Sequence, residues 1–154
     1  MKALTLTQPW ATLVAICAKR IETRSWRTSY RGALAIHAAK GFPKEARMFT
    51  LEPVCYNAIK ARYGGRDESQ RVRGFPAYPL GMVIATCKLV DCLPVEATGC
   101  LPGVFDDYPE LDNSQERAFG DYSEGRWGWV LEGITPLPQP VPAKGALSLW
   151  NWQP

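Results

Sequence analysis

The chain has 154 residues, of which 46% are hydrophobic and 21% charged, and its formal net charge is +3. This length and composition are typical of one globular domain with a sizeable core, and they exclude an intrinsically disordered chain. No apolar run approaches the length of a membrane span and no signal-peptide pattern is present, so we expect a cytoplasmic protein without a membrane partner.

The charge is unevenly distributed along the chain. Residues 1–50 carry nine Lys/Arg and two Asp/Glu, whereas residues 101–154 carry three Lys/Arg and eight Asp/Glu. A basic half of this kind can form a nucleic-acid-binding face, or it can pair with the acidic half inside the fold. Charge alone leaves both interpretations open.

Taken in chain order, the hydrophobic patterns predict more strands than helices. Predicted strands cover residues 2–7, 21–26, 32–37, 81–92, 126–134 and the C-terminal ALSLWNW, and predicted helices cover residues 10–20 and 43–63 with a break near Pro53. Residues 64–79 are loop-like, residues 94–123 form a loop-rich excursion with a short helix around 113–118, and PLPQPVPAKG is extended. This order predicts an α+β fold, a small mixed barrel with helices outside it, and disfavours a doubly wound parallel sheet.

The cysteines and motifs indicate neither a metal site nor a cofactor. There are five cysteines and one histidine, and no cysteine pair has CxxC spacing, so buried reduced thiols are expected. The chain also lacks GxGxxG, Walker, GxSxG and HExxH motifs. We therefore expect no cofactor and no metal.

The stretch KRIETRSWRTSYRGALAIHAAK, residues 19–40, carries the chemistry. On a strand, Glu22, Arg24 and Trp26 share one face, and Lys19 at the preceding helix end lies close to them. A carboxylate between two cations stays ionised, spare cations can bind phosphate, and a Trp can stack on a base. The alternative is an exposed strand face with an ion pair that contributes little.

The segments QPWATLVAICAKRIETRSW and YRGALAIHAAK resemble the N-terminal signature of the ASCH (activating-signal-cointegrator homology) domain family, of the PUA-like superfamily. That signature is Gly-x-Lys-x-x-Glu-x-Arg; Lys19, Glu22 and Arg24 match it, and Cys17 stands at the glycine position. GRWGWVLEGITPLPQPVPAKGALSLWNW is similar to the family's C-terminal strands. The resemblance implies a single ASCH domain over residues 1–154, a mainly antiparallel PUA-like β-barrel with flanking helices, and a cleft near the three matched residues.

The resemblance also implies a protein that binds RNA or single-stranded nucleic acid, or a modified nucleoside within RNA. In this leading hypothesis Arg20, Arg27 and Arg31 contact phosphates, Lys19 and Arg24 belong to the cleft, and Glu22 orients the cations or accepts from a base amino group. Trp26 and Tyr30 stack on bases. Further candidates for the binding site are Trp10, Lys40 and Arg126.

Two alternatives stay open. One is a hydrolase of an N4-acylcytidine-like amide or of single-stranded RNA, with Lys19 as base or electrostatic stabiliser and Glu22 as acid/base. The amidohydrolase branch of the family uses a Lys, a Thr and a Glu, and Glu22 stands where that Thr falls. The other alternative is a protein-interaction domain that uses the acidic stretch 106–124, with an unknown partner.

Several candidates have a purely structural interpretation. Trp10 and the pair Trp127 and Trp129 suit a core, Lys40 suits a solvated surface, and Gly128 indicates a close approach of another backbone or a ligand. The lone His37, in an apolar strand, suits a core or barrel edge better than a general base. Asp121, Tyr122 and Glu116 are candidates for a third catalytic group, and the spacing selects none of them.

Overall fold

The structure is a computed structural model that describes residues 1–63, 71–72, 75–76, 78–97, 99, 101 and 107–153. The strands are β1 (Lys2–Leu6), β2 (Ile21–Arg24), β3 (Gly32–Ala38), β4 (Arg71–Val72), β5 (Phe75–Pro76), β6 (Met82–Pro94), β7 (Trp127–Pro142) and β8 (Leu149–Asn151). The helices are α1 (Trp10–Ala15), α2 (Lys44–Phe49), α3 (Pro53–Tyr63) and α4 (Ser114–Ala118), and a 3-10 turn covers Pro109–Leu111. Most of the predicted loop 64–79 and Cys100 lie outside the described residues.

One six-stranded sheet organises the molecule, in the order β2-β7-β6-β3-β1-β8. Strands β1 and β3 pair in parallel, and every other neighbouring pair in this sheet is antiparallel. The fold is therefore α+β with a mainly antiparallel sheet, as the sequence predicts. The curled sheet is a half-barrel and not a closed barrel. Its two edges are β2 and β8, which do not pair with each other in the described part of the chain. Strands β4 and β5 form a separate two-stranded ribbon.

The two long strands β6 and β7 bend the sheet through irregular pairing. Their register shifts at three places, and between Val83 and Ala85 the partner changes from Val141 to Pro136. Residues 137–140 are thereby left without a register partner, which suits a proline-rich stretch because proline cannot donate a ladder hydrogen bond. The predicted strand 126–134 thus continues through the prolines that the sequence indicated as merely extended.

Helix α1 is shorter than predicted and ends in a tight turn. The Cys17 N–H donates to Val14 O at 2.8 Å and the Ala18 N–H to Leu13 O at 2.9 Å, the two bonds of a Schellman cap. Cys17 has φ 61°, the left-handed conformation that glycine adopts without steric cost. This explains why the family pattern has glycine here. The expectation of buried thiols is wrong for Cys17, which is exposed.

The helices pack on the side of α1 that faces away from the sheet. Leu13, Cys55, Ile59 and Phe119 are buried together, and Trp10 stacks on Phe49 with ring centroids 5.3 Å apart. The break predicted near Pro53 separates α2 from α3, as the missing proline N–H requires. No helix in the described ranges is both long and apolar enough to cross a membrane.

The cysteines of the described residues are free thiols. Cys55, Cys87 and Cys92 are buried, as expected, and burial raises the pKa of Cys55 and of Cys87 to about 12. Such thiols stay protonated at neutral pH and act as small apolar core residues.

His37 is a buried residue of β3, and its ring contacts the segment that follows β7. Its Nε2 lies 3.1 Å from Ala143 O and its Nδ1 lies 3.2 Å from Thr5 Oγ1. A carbonyl only accepts, so Nε2 carries the hydrogen of the neutral ring and donates it to Ala143 O. A side chain on Gly145 would meet the ring, since a Cβ there would be 2.4 Å from His37 Cε1. The histidine is a satisfied interior residue.

Protonation of His37 is expected to make the fold less stable in mild acid. Burial lowers the pKa of His37 below its ordinary value of 6.5. The folded state therefore binds the proton more weakly than the unfolded state, so this contribution is complete above pH 6.5 and is lost as the pH falls. Urea unfolding of the wild type and of His37→Gln at pH 7.5, 6.5 and 5.5 measures it. The wild type should lose stability relative to the variant by at most about 1.4 kcal/mol per pH unit. Parallel pH curves for the two proteins would refute the expectation.

Candidate nucleic-acid interface

The three residues that carry the sequence signature form one ionic group. Lys19 Nζ lies 3.5 Å from Glu22 Oε2, and Arg24 Nη1 lies 3.5 Å from Glu22 Oε1. Lys19 Nζ also donates to Ile21 O. The carboxylate thus lies between two cations, the arrangement that strand alternation predicts for residues 22 and 24.

Lys19 is in the interior rather than on a surface, with 1% of its area exposed. The Schellman turn brings it there, because the Lys19 N–H also donates to Leu13 O, at 3.1 Å. With its ammonium ion-paired to Glu22 and donating to a main-chain carbonyl, Lys19 offers no free surface to a phosphate. Lys19 instead orients Glu22, and Glu22 in turn orients the half-exposed Arg24.

Glu116 on α4 completes the buried part of the group. Its Oε2 accepts from the Arg20 N–H at 2.8 Å and its Oε1 from the Ile21 N–H at 2.9 Å. Burial raises the pKa of this carboxyl above its ordinary value, and the Lys19 ammonium opposes that rise. Sequence reasoning named Glu116 only among three possible third groups. The NSQE pattern from Asn113 marks a helix start, but it gives no sign that the Glu reaches β2.

Side chains cover the outer edge of β2, where no strand of the described ranges pairs. Glu116 accepts from Ile21 N–H, Lys19 donates to Ile21 O, and Arg126 Nη2 donates to Thr23 O at 3.2 Å. Thr23 Oγ1 accepts from the Asp121 N–H at 2.9 Å. An uncovered edge strand invites pairing with another chain, and these bonds satisfy the edge instead. Arg126 is therefore tied to the main chain of β2.

Arginines and tryptophans alternate next to the exposed end of this group. The Arg24 guanidinium lies 5.8 Å from the centroid of the Trp26 ring, and that of Arg27 lies 5.4 Å from the Trp127 centroid. The edge of Trp26 meets the fully buried Trp129 with centroids 4.6 Å apart. Trp129 thus supports Trp26 from the core. The predicted core position is confirmed for Trp129, which is fully buried, and in part for Trp127, which is half-buried.

Arg31 lies beside the same cluster. Its Nη2 lies 2.8 Å from Asp91 Oδ1 and its Nη1 donates to Thr28 O at 3.0 Å. Burial raises the pKa of the Cys92 thiol, and the charges of Arg31, Asp91 and Arg27 lie close enough to modify that shift. Here we define the basic face as Arg24, Trp26, Arg27, Arg31 and Trp127.

Of four further candidates, two are engaged by other groups of the chain and two lie elsewhere. Arg20 pairs with Glu110 at 2.8 Å, Trp10 is stacked on Phe49, and the Tyr30 hydroxyl donates to Ala33 O. Lys40 follows the far end of β3, which spans about 20 Å at the usual rise per residue. The structure therefore does not bring Lys40 or Trp10 to the basic face.

Gly128 lies in the part of β7 that pairs with β2. A Cβ on Gly128 would be 2.6 Å from Leu101 Cδ1 and 3.2 Å from Ile21 Cγ2. The close approach that its sequence position indicated is real, and the groups that a Cβ would meet are apolar side chains.

The uneven charge serves partly to hold the fold together. The acidic part of the chain reaches the basic part through Glu110 and Glu116, and Asp121 pairs with Arg126 at 3.2 Å. Arg27, in contrast, has no ion-pair partner among the described residues and lies against an aromatic ring. Pairing between the basic and acidic parts of the chain therefore accounts for arginines such as Arg20, whereas the interpretation as a nucleic-acid-binding face applies to arginines such as Arg27.

The fold and the site together define the class of protein. It is a six-stranded half-barrel in which the turn after the first helix leads into the ion-paired group of Lys19, Glu22 and Arg24. A model of the ASCH domain matches residues 4–138, and the chain belongs to the ASCH domain family. It is 35% identical over 149 residues to activating signal cointegrator 1 of Mus musculus and to that of Homo sapiens. These alignments cover 96% of this chain and 22% of either relative, so the chain spans about a fifth of the length of the curated relatives it matches.

Among solved structures, the chain is similar to the crystal structure of a point mutant of ZmASCH from Zymomonas mobilis. It is 14% identical, covers 92% of this chain and 74% of that one, and has a TM-score of 0.47. The family membership and the sheet order agree with the PUA-like architecture that the sequence signature implies.

Proposed function

We propose that this ASCH domain binds RNA through the basic face. The ASCH family is associated with RNA binding, and a role of this general kind agrees with the membership of the chain. The observation that carries the proposal is that the exposed Arg27 lies against the partly exposed ring of Trp127 and has no ion-pair partner among the described residues, while the ion pair of the exposed Arg31 is a surface pair with Asp91. Positive side chains follow a phosphate backbone, and aromatic rings stack on unpaired bases without selecting a sequence.

The buried residues have a supporting role in this proposal. Lys19 and Glu22 hold Arg24 at the edge of the basic face, so that its guanidinium lies over Trp26. A preorganised arginine loses less conformational freedom on binding phosphate than a freely moving one. The family signature is then explained as the support of one binding arginine, not as a set of groups that touch the RNA.

A modified nucleoside within the RNA is the finer form of this proposal. Glu22 is almost fully buried, so only a small part of its carboxylate is open to a base amino group. Competition between plain and N4-acetylated cytidine oligonucleotides measures whether such a base is preferred. Equal affinities restrict the proposal to RNA in general.

The salt dependence of RNA binding tests the proposal. Fluorescence anisotropy with a labelled 20-nucleotide single-stranded RNA should show binding that weakens between 50 and 200 mM salt. If the three arginines each neutralise one phosphate, the slope of log K against log salt is about −2, at roughly 0.7 per contact. Absent binding, or binding that salt does not weaken, would refute RNA recognition by this face.

A further inference from the structure

We propose that the acidic segment, residues 107–124, is an intramolecular competitor of RNA, and that Glu110 occupies a place on Arg20 that phosphate would otherwise take. The inference rests on the proposed function. The segment carries six Asp/Glu and one Arg. Its Glu110 Oε1 lies 2.8 Å from Arg20 Nη1, at hydrogen-bonding distance. Arg20 is thus a basic residue of the signature region that an acid of the same chain already neutralises.

The acidic segment is held in place independently of this pair. Glu116 accepts two main-chain N–H groups of the basic stretch, and Asn113 caps α4 by accepting from the Glu116 N–H at 2.8 Å. The Glu110 side chain therefore meets Arg20 at a high effective concentration whether or not the pair itself is stable. A carboxylate fixed so close competes with any phosphate that approaches Arg20.

The pair can also be exchanged at little cost. The side chains of Arg20 and Glu110 are 27% and 58% exposed, and solvent-exposed ion pairs contribute little to stability. A phosphate offers Arg20 an equivalent charge-assisted hydrogen bond. Two other acids of the segment, Asp121 and Glu116, differ in this respect. Arg126, the partner of Asp121, is also bonded to a carbonyl of β2, and Glu116 is buried.

Glu110→Gln tests the inference, with Glu124→Gln as the matched control. Both substitutions remove one negative charge from the acidic segment, but Glu124 is exposed and has no ion pair in the part of the chain that the structure describes. Releasing Arg20 should tighten binding of the labelled 20-nucleotide RNA about two- to fivefold at 0.1 M salt, the range of a surface pair. It should also steepen the salt slope by roughly 0.7, for one added phosphate contact. Glu124→Gln should change neither quantity measurably.

The same measurements in an Arg20→Gln background complete the test. Removing Glu110 should then have no effect on affinity, because no cation is left to release. If Glu110→Gln and Glu124→Gln bind alike, or if the gain persists without Arg20, the competitor role is wrong while RNA binding itself stands. If the wild type and Glu110→Gln both fail to bind RNA, the proposed function and this inference are both wrong.

Discussion

Replacing Glu116 with alanine is expected to lower the free energy of unfolding by about 3 kcal/mol, since two main-chain donors lose a charged acceptor. The Ile21 N–H is buried and belongs to the edge strand β2, so water cannot easily replace the carboxylate. The Arg20 N–H loses its acceptor at the same time. Urea denaturation followed by tryptophan fluorescence measures the change.

Glu124→Ala is the control for this variant. It removes the same charge from an exposed position of the same stretch, and such surface substitutions usually change stability by less than about 0.5 kcal/mol. Glu116→Gln should fall between the two, because it keeps one acceptor oxygen and presents an amide donor to the second N–H. Equal midpoints for the wild type and Glu116→Ala would mean that the carboxylate does not hold the acidic segment to β2.

The double substitution Arg27→Gln/Arg31→Gln is expected to weaken RNA binding on the order of tenfold at 0.1 M salt, and to flatten the salt slope by about 1.4. The physical reason is the loss of two phosphate contacts, each of which releases condensed counterions. Both side chains are exposed, so the fold should tolerate the change. Anisotropy titrations at several salt concentrations give both quantities.

Lys40→Gln/Lys44→Gln is the matched control for charge. It removes two positive charges from exposed residues at the opposite end of β3 and on α2. A general attraction between a basic protein and RNA would make the two double variants equally weak. Binding by the basic face predicts that the lysine variant keeps the slope of the wild type.

The sequence predicted the elements that depend on local pattern. Strand alternation placed Glu22 and Arg24 on one face, and the apolar run 81–92 identified β6 because a strand shows its period within a few residues. Pro53 separated α2 from α3 because proline lacks the N–H that a continuous helix needs. The short helix near 113–118 was also predicted, as α4 shows.

Other features were beyond local pattern. The end of α1 at Ala15 and the left-handed Cys17 depend on a capping turn that a non-glycine residue disguises in the sequence. The continuation of β7 through its prolines depends on pairing with β6, which lies far away in the chain.

The sequence by itself determined the family, through the pattern of Lys19, Glu22 and Arg24, and it determined the fold class, through the order of strands and helices. Only the tertiary structure decided which charges are available to a ligand. Lys19 is buried by the turn that follows α1, and Arg20 is paired with an acid that lies 90 residues further along the chain. Availability depends on burial and on partners from distant segments, and a one-dimensional pattern of charges contains neither.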